Sequence, residues 1–283
     1  MATGISSRSV IQQSSPAAVR ETVFAARTRW TARTAGWLLG LVCALGISHD
    51  LVAADRPPRR FAQRVEQRFE EARARFRADT NDTTRAWQLG QASFDWADFA
   101  RDNRQREAIA TEGIAACRLA VSRDAKLAAA HYYLGMNLGR LAQASKLEAL
   151  GIVKEMERRF HTARQLQASL DYAGPDRNLG LLYWRAPGWP ASIGSRPLAR
   201  EHLERAAKLG PDYPDNRLNF MEALLQWKET ERLGQEVEAY TGLLPRARQA
   251  FAGAAWEQSW HEWDQRWQQL RAEVDRMKKR AAD

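Results

Sequence analysis

Cysteine is almost missing: the chain holds Cys43 and Cys117 and no others. Two thiols this far apart form no CxxC pair, no zinc-ligand spacing and no disulfide framework. Histidine is thin as well, with five residues scattered at 49, 131, 161, 202 and 261. The sequence also lacks HExxH, a P-loop, a GxSxG elbow and a GxGxxG turn, the spacings that recurrent catalytic and nucleotide sites need. β-branched residues are sparse, which argues against a sheet. No apolar run approaches the roughly 20 residues of a bilayer-spanning helix. Charge of one sign is not gathered anywhere. The formal net charge is +9, yet acids and bases alternate, as in Arg68-Phe69-Glu70-Glu71 and Glu201-His202-Leu203-Glu204-Arg205. That is the pattern of solvated helix faces. A nucleic-acid partner would need a basic stripe.

What remains is helix-forming. Ala, Leu, Glu, Gln and Arg dominate the 283 residues, and 45% of the chain is hydrophobic. An all-α protein of one or two domains follows. The first 35 residues are rich in Ser, Thr, Ala and Arg, and the apolar run Gly36–Ile47 follows Arg33. Too short to anchor stably, it matches the h-region of an export signal, and Val52-Ala53-Ala54 supplies the small residues for cleavage after Ala54. The long leading segment leaves a later start codon or an organelle transit peptide open. Val42, in place of Gly or Ala before Cys43, argues against lipidation. The mature chain keeps Cys117, in the Ala-rich segment Gly113–Ala120, where a buried structural thiol is expected.

The chain repeats itself. Leu-Gly pairs stand at Leu89-Gly90, Leu134-Gly135 and Leu179-Gly180, each among aromatic residues. A small–large–small stripe follows each pair: Gly113/Cys117/Ala120, Met156/Phe160/Ala163 and Ala199/Leu203/Ala206. Spacings of four and three put each stripe on one helical face. Each unit therefore reads as a hairpin of an A helix carrying Leu-Gly and a B helix carrying the stripe. Stacked hairpins bury faces that one hairpin leaves open. Expected helices run 58–78, 83–100, 104–122, 126–142, 146–170, 175–185, 196–209, 214–228 and 231–252, the last with a break or kink at Pro245. A final helix over 254–280 carries Trp256, Trp260, Trp263, Trp267, Leu270, Val274 and Met277 at spacings of four and three. Such a seam either caps the last repeat or offers a surface for homo-oligomerisation.

The stretch 174–195, GPDRNLGLLYWRAPGWPASIGS, combines the third A helix with a Pro/Gly/Trp/Ser loop. Two prolines and a tryptophan make a stiff, part-apolar loop. It either plugs the protein's own core or presents a recognition surface.

The Leu-Gly pairs with Ala199, Leu203, Ala206 and Pro211 resemble the tetratricopeptide repeat, at a longer period. The segment from His131 to Lys228 resembles the T-component family of TRAP transporters. Tyr132-Tyr133-Leu134-Gly135, Gly174–Gly180, Ala186-Pro187-Gly188-Trp189-Pro190, Ser192–Ser195 and Pro211–Asn216 carry that likeness. It implies an all-α, tetratricopeptide-like helical-hairpin solenoid with long intra-repeat connections and a C-terminal amphipathic capping helix. Three parts are expected: an export signal over 1–54, the repeat domain over 55–253 and the Trp-rich helix over 254–283. The implied role is non-enzymatic: a periplasmic adaptor for an envelope protein such as a solute-binding protein, with no cofactor and no metal. The second reading is a groove binding a small apolar or organic-acid ligand; an enzyme without recognisable motif is the third. Trp87, Tyr132, Tyr133, Arg177, Tyr183, Trp184, Trp189, Ser192 and Ser195 are the candidate ligand- or partner-binding residues.

Overall fold

The structure, a computed structural model, describes residues 59–144 and 149–282. The expected export segment, with Cys43 and the Ala54 cleavage point, lies outside them. Ten helices make up the described residues, which contain no strand. They are α1 (Arg59–Ala78), α2 (Thr83–Ala97), α3 (Asn103–Arg123), α4 (Ala128–Ala144), α5 (Ala149–Leu166), α6 (Gly174–Arg185), α7 (Arg196–Leu209), α8 (Pro214–Gln226), α9 (Thr230–Ala250) and α10 (Glu257–Ala282). From α1 to α9 each helix packs on its successor, so the fold is an all-α hairpin solenoid. No helix among the described residues is long and apolar enough to cross a membrane.

The repeat has an atomic basis. In each unit the glycine of the A helix faces the large residue of the B-helix stripe. A Cβ on Gly90 would lie 2.1 Å from Cys117 Sγ, one on Gly135 2.6 Å from Phe160 Cε1, and one on Gly180 2.7 Å from Leu203 Cγ. Glycine is required there because the helices touch through the site where its side chain would stand. The flanking residues Ala120, Met156, Ala163, Ala199 and Ala206 are buried beside these contacts. Cys117 is likewise fully buried, and burial pushes its thiol far above its ordinary pKa. It is a packing residue.

Local signals set the boundaries. Asp82 caps α2 by accepting from the amides of Thr84 (2.7 Å) and Arg85 (3.1 Å), and Asp102 caps α3 through Gln105. One expectation fails. The A–B connections are not uniformly long: only residues 98–102 separate α2 from α3, whereas residues 186–195 separate α6 from α7. The third unit keeps the period because its helices are short, 12 and 14 residues against 15 and 21 in the first. Of the break or kink expected at Pro245, no break occurs, since α9 continues through it to Ala250.

The C-terminal seam is used internally. Trp260, Trp263, Leu270 and Val274 are buried in one cluster with residues of α8 and α9, and Trp256, Trp267 and Tyr172 pack against it. The surface expected for self-association is thus covered by the protein's own helices, and α10 caps the last hairpin. Its start also meets α1. Arg64 donates to Ala254 O (3.2 Å) and Glu257 (3.0 Å), and the Phe61 and His261 rings are 6.3 Å apart. Among the described residues, the first helix thus touches the start of the last.

The glycine–large contacts give a direct test by chemical denaturation. Gly135→Ala should lose about 1–3 kcal/mol by overpacking Phe160, and adding Phe160→Leu should recover most of the loss. Gly242→Ala, at an exposed α9 position with nothing within 4 Å of the added Cβ, should instead gain about 0.5–1 kcal/mol.

Candidate functional site

Three consecutive residues before α6, none of them glycine, are left-handed: Asp171 (φ 49°), Tyr172 (φ 54°) and Ala173 (φ 65°). Each such residue costs on the order of 1–2 kcal/mol, so the turn exists only because its surroundings hold it. Arg177, one turn into α6 and 1% exposed, holds it. Its Nη2 donates to the Asp171 carboxylate (2.7 Å) and carbonyl (3.1 Å), and its Nη1 to Tyr172 O (3.2 Å) and Asn216 Oδ1 (2.9 Å). Tyr132 donates its hydroxyl to the same Asp171 oxygen (2.7 Å), and Asn178 donates to Tyr132 (3.0 Å). The turn then lays the Tyr172 ring flat on Tyr213, at 4.7 Å and 5°.

The network reaches α10. Arg266, 7% exposed, donates to Asp215, to Asn219 Oδ1 (2.6 Å) and to Glu222 (2.7 Å), while Arg177 Nε lies 3.6 Å from Asp215. Sequence reasoning missed Arg266, because it lies between the apolar seam positions and reads as a solvated helix residue.

Five of the nine expected binding residues pack inside the helical array. Trp87, Tyr132, Tyr133 and Tyr183 are at most 5% exposed, and Arg177 is the clasp just described. Trp87 stacks on Tyr133 (5.8 Å, 8°), whose hydroxyl accepts from Gln91 (2.9 Å). Trp87 and Tyr133 stack between the A helices α2 and α4, whereas Tyr183 packs against α5 and α7. Ser195 caps α7 through the Leu198 amide (3.4 Å). Trp184 and Ser192 are half-buried.

Trp189 is the exception, 89% exposed at the tip of the 186–195 loop. The loop beneath it is fixed. Gly194 N donates to Pro187 O (2.8 Å), Ser195 N to Tyr183 O (2.9 Å), and Ala191 N and Ser192 N to Gly188 O (3.1 and 3.2 Å). Gly188 and Gly194 form an isolated bridge, and a Cβ on Gly194 would lie 2.1 Å from Ala186 O. Ile193 packs on the main core cluster. The loop is thus a plug at its base, through Ile193, and a display at its tip.

A titratable cluster joins α5, α6 and α7. His202 Nδ1 lies 2.7 Å from Asp176 Oδ1, and Arg164 Nε lies 3.2 Å from the same oxygen. The His202 ring stacks on Tyr183 (5.6 Å) and meets His161 edge-on (5.8 Å). Tyr183 donates to Glu157 (2.6 Å), and His161 Nε2 lies 3.1 Å from the Tyr183 hydroxyl. Burial pushes the Tyr183 hydroxyl well above its ordinary pKa, reinforced by Glu157. The groups of this cluster bond to one another across the three helices. Among the described residues no group of three or more His, Cys, Asp or Glu is placed to hold a metal.

Two tests follow. Arg177→Met should cost about 3–5 kcal/mol in urea denaturation, the penalty for stripping one partner from a buried ion pair. The second concerns pH. His161 and His131 are both held below the ordinary histidine pKa, first by burial and then, for His161, by His202. Below pH 6.5 the unfolded chain therefore takes up protons that the folded one refuses. Stability should be full above that pH and fall as the solution is acidified toward 5.5. His161→Gln should flatten the slope, and an unchanged slope would remove His161 as its source.

The residues that remain displayed are Trp189 and its loop. No protein-family model matches the chain, and no curated protein is significantly similar to it.

Proposed function

We propose that the chain is an exported, non-enzymatic helical-repeat adaptor that docks a partner protein through the 186–195 loop, with Trp189 as the anchor. The observation that carries this reading is the exposure of Trp189, at 89%, on a loop whose backbone is tied down on both sides. Tryptophan brings a large apolar area at low conformational cost, and it is enriched in the residues that dominate interface energies. A rigid loop adds little ordering entropy on binding. Leu198, in the first turn of α7, is also partly exposed and extends the apolar surface beyond the loop.

The partner class comes from the resemblance to TRAP T-components: a periplasmic solute-binding protein or another envelope protein. Export rests on the Gly36–Ile47 run and Val52-Ala53-Ala54. The non-enzymatic reading is supported by the missing motifs and by the titratable cluster, whose groups bond to one another across α5, α6 and α7.

A photo-crosslinking amino acid at position 189, expressed in cells, should yield one dominant adduct with an envelope solute-binding protein. The same probe at the exposed Leu209 should not. Adducts only with cytosolic proteins, or equal patterns from both positions, would sink the proposal. Trp189→Ala should leave denaturant stability within about 0.5 kcal/mol of the parent and cost about 2 kcal/mol or more in partner affinity.

A further inference from the structure

The 186–195 loop stands between two arginines, Arg185 at the end of α6 and Arg196 at the start of α7. Ser195 N donates to Tyr183 O (2.9 Å), which brings the two feet of the loop together. Each foot leans on an indole. The Arg185 guanidinium stacks on Trp184, with Cζ 3.4 Å from the ring centroid, and Arg196 lies over Trp227 at 5.2 Å, as does Arg200 one turn further. The two indoles meet edge-on at 6.4 Å, so the exposed Lys228, next to Trp227, joins the same face. The tryptophan at the tip is therefore underlaid by cations at fixed places.

Acids do not balance them. None stands between Arg185 and Glu201 in the sequence. Glu201 is engaged by Arg205, and Glu222 by Arg266. Glu229 accepts from both Arg196 and Arg200. These hydrogen bonds, from Arg200 first and then Arg196, hold the Glu229 carboxyl below its ordinary pKa and keep it charged. One carboxylate thus answers two guanidiniums. Arg185 and Lys228 have no carboxylate within ion-pair distance among the described residues. Even with Glu231 of the first α9 turn counted, Arg185, Arg196, Arg200 and Lys228 outnumber Glu229 and Glu231. Elsewhere on the chain acids and bases alternate, so this excess is local.

We propose that the partner surface that receives Trp189 is acidic, a protein face whose carboxylates surround the entering indole and meet Arg185, Arg196 and Lys228. The inference rests on the docking role of the loop and adds the charge of what it docks. Charges that ring an apolar anchor steer encounter and reject partners of like charge more than they add affinity. Arginine suits this place, since a guanidinium keeps its stack on an indole while its N–H edge faces a carboxylate. An anionic bilayer carries the same sign of charge as an acidic protein. Membrane attachment, however, grows with the apolar area inserted, and the tip inserts one indole with Pro190 beside it. A loop with its backbone tied down also fits one shaped recess better than a fluid surface.

The test places the photo-crosslinking amino acid at position 189 of the full chain in cells and reads adduct yield after brief illumination. Lys228→Glu and Arg185→Glu should each lower the yield about two- to fivefold, the range set by exposed ion pairs, and Arg77→Glu on α1 should not. Glu229→Gln leaves Arg196 and Arg200 unanswered and should raise the yield, a gain that misfolding does not produce. The partner peptides joined to position 189 should hold more Asp and Glu than Lys and Arg. Phosphatidylglycerol vesicles should sediment no more of the purified protein than phosphatidylcholine vesicles do. If the adduct forms but neither the reversals nor Glu229→Gln change it, or if the joined peptides are net basic, the acidic partner is overturned and docking through Trp189 stands. If no adduct forms at position 189, the docking reading falls and takes this inference with it. Sedimentation by phosphatidylglycerol vesicles that Trp189→Ala abolishes assigns the cations to lipid and overturns the acidic protein face.

Discussion

Arg177 converts a sequence with no glycine at the critical turn into one that can make it. The α5–α6 connection runs through three left-handed residues, Asp171, Tyr172 and Ala173, whose side chains all oppose that backbone. Together they cost several kcal/mol on the order given by chirality alone. The guanidinium offsets this by binding the turn at Asp171 O, Asp171 Oδ2 and Tyr172 O. Asn216, from the start of α8, also donates to Tyr172 O (2.9 Å). The turn, the third hairpin and the fourth are therefore mutually dependent. Loosening Arg177 releases Asp171 from Tyr132 on α4 as well as the Tyr172–Tyr213 stack under α10. A buried charge network is weak evidence of net stability, yet it specifies one geometry sharply, because any other leaves a charge unpaired.

The helical organisation was legible in the sequence because it follows from spacing. Leu-Gly pairs and small–large–small stripes mark the paired helices, and the structure adds that Gly90/Cys117, Gly135/Phe160 and Gly180/Leu203 are where they meet. Helix ends were legible where Asp, Ser or Pro marks them. The left-handed turn was not, since Asp-Tyr-Ala carries no local sign of positive φ and the cause, Arg177, acts through tertiary contacts. Arg266 was hidden for the same reason. Its partners come from α8, some fifty residues earlier in the chain, and nothing near it in sequence announces their approach.

The binding residues were the least legible part. Aromatic clusters on A helices serve a groove or a seam equally well by pattern, and Trp87, Tyr132, Tyr133 and Tyr183 are all buried against neighbouring helices.

The tryptophans then separate by what surrounds them. Among those described, Trp87, Trp96, Trp260 and Trp263 are buried, and Trp184, Trp227, Trp256 and Trp267 are half-buried with aromatic neighbours. Trp189 alone stands exposed, on the one A–B connection that carries the extra length. Shortening that loop would spare the repeat, since Leu179-Gly180 and the Leu203 stripe lie outside it. It would remove the Gly188–Gly194 bridge and the tryptophan it carries. The third hairpin has given up helix length for this loop, with α6 and α7 among the shortest helices. The loop is tied down on both sides, with Ile193 packed on the core at its base and the Trp189 indole held in water at its tip.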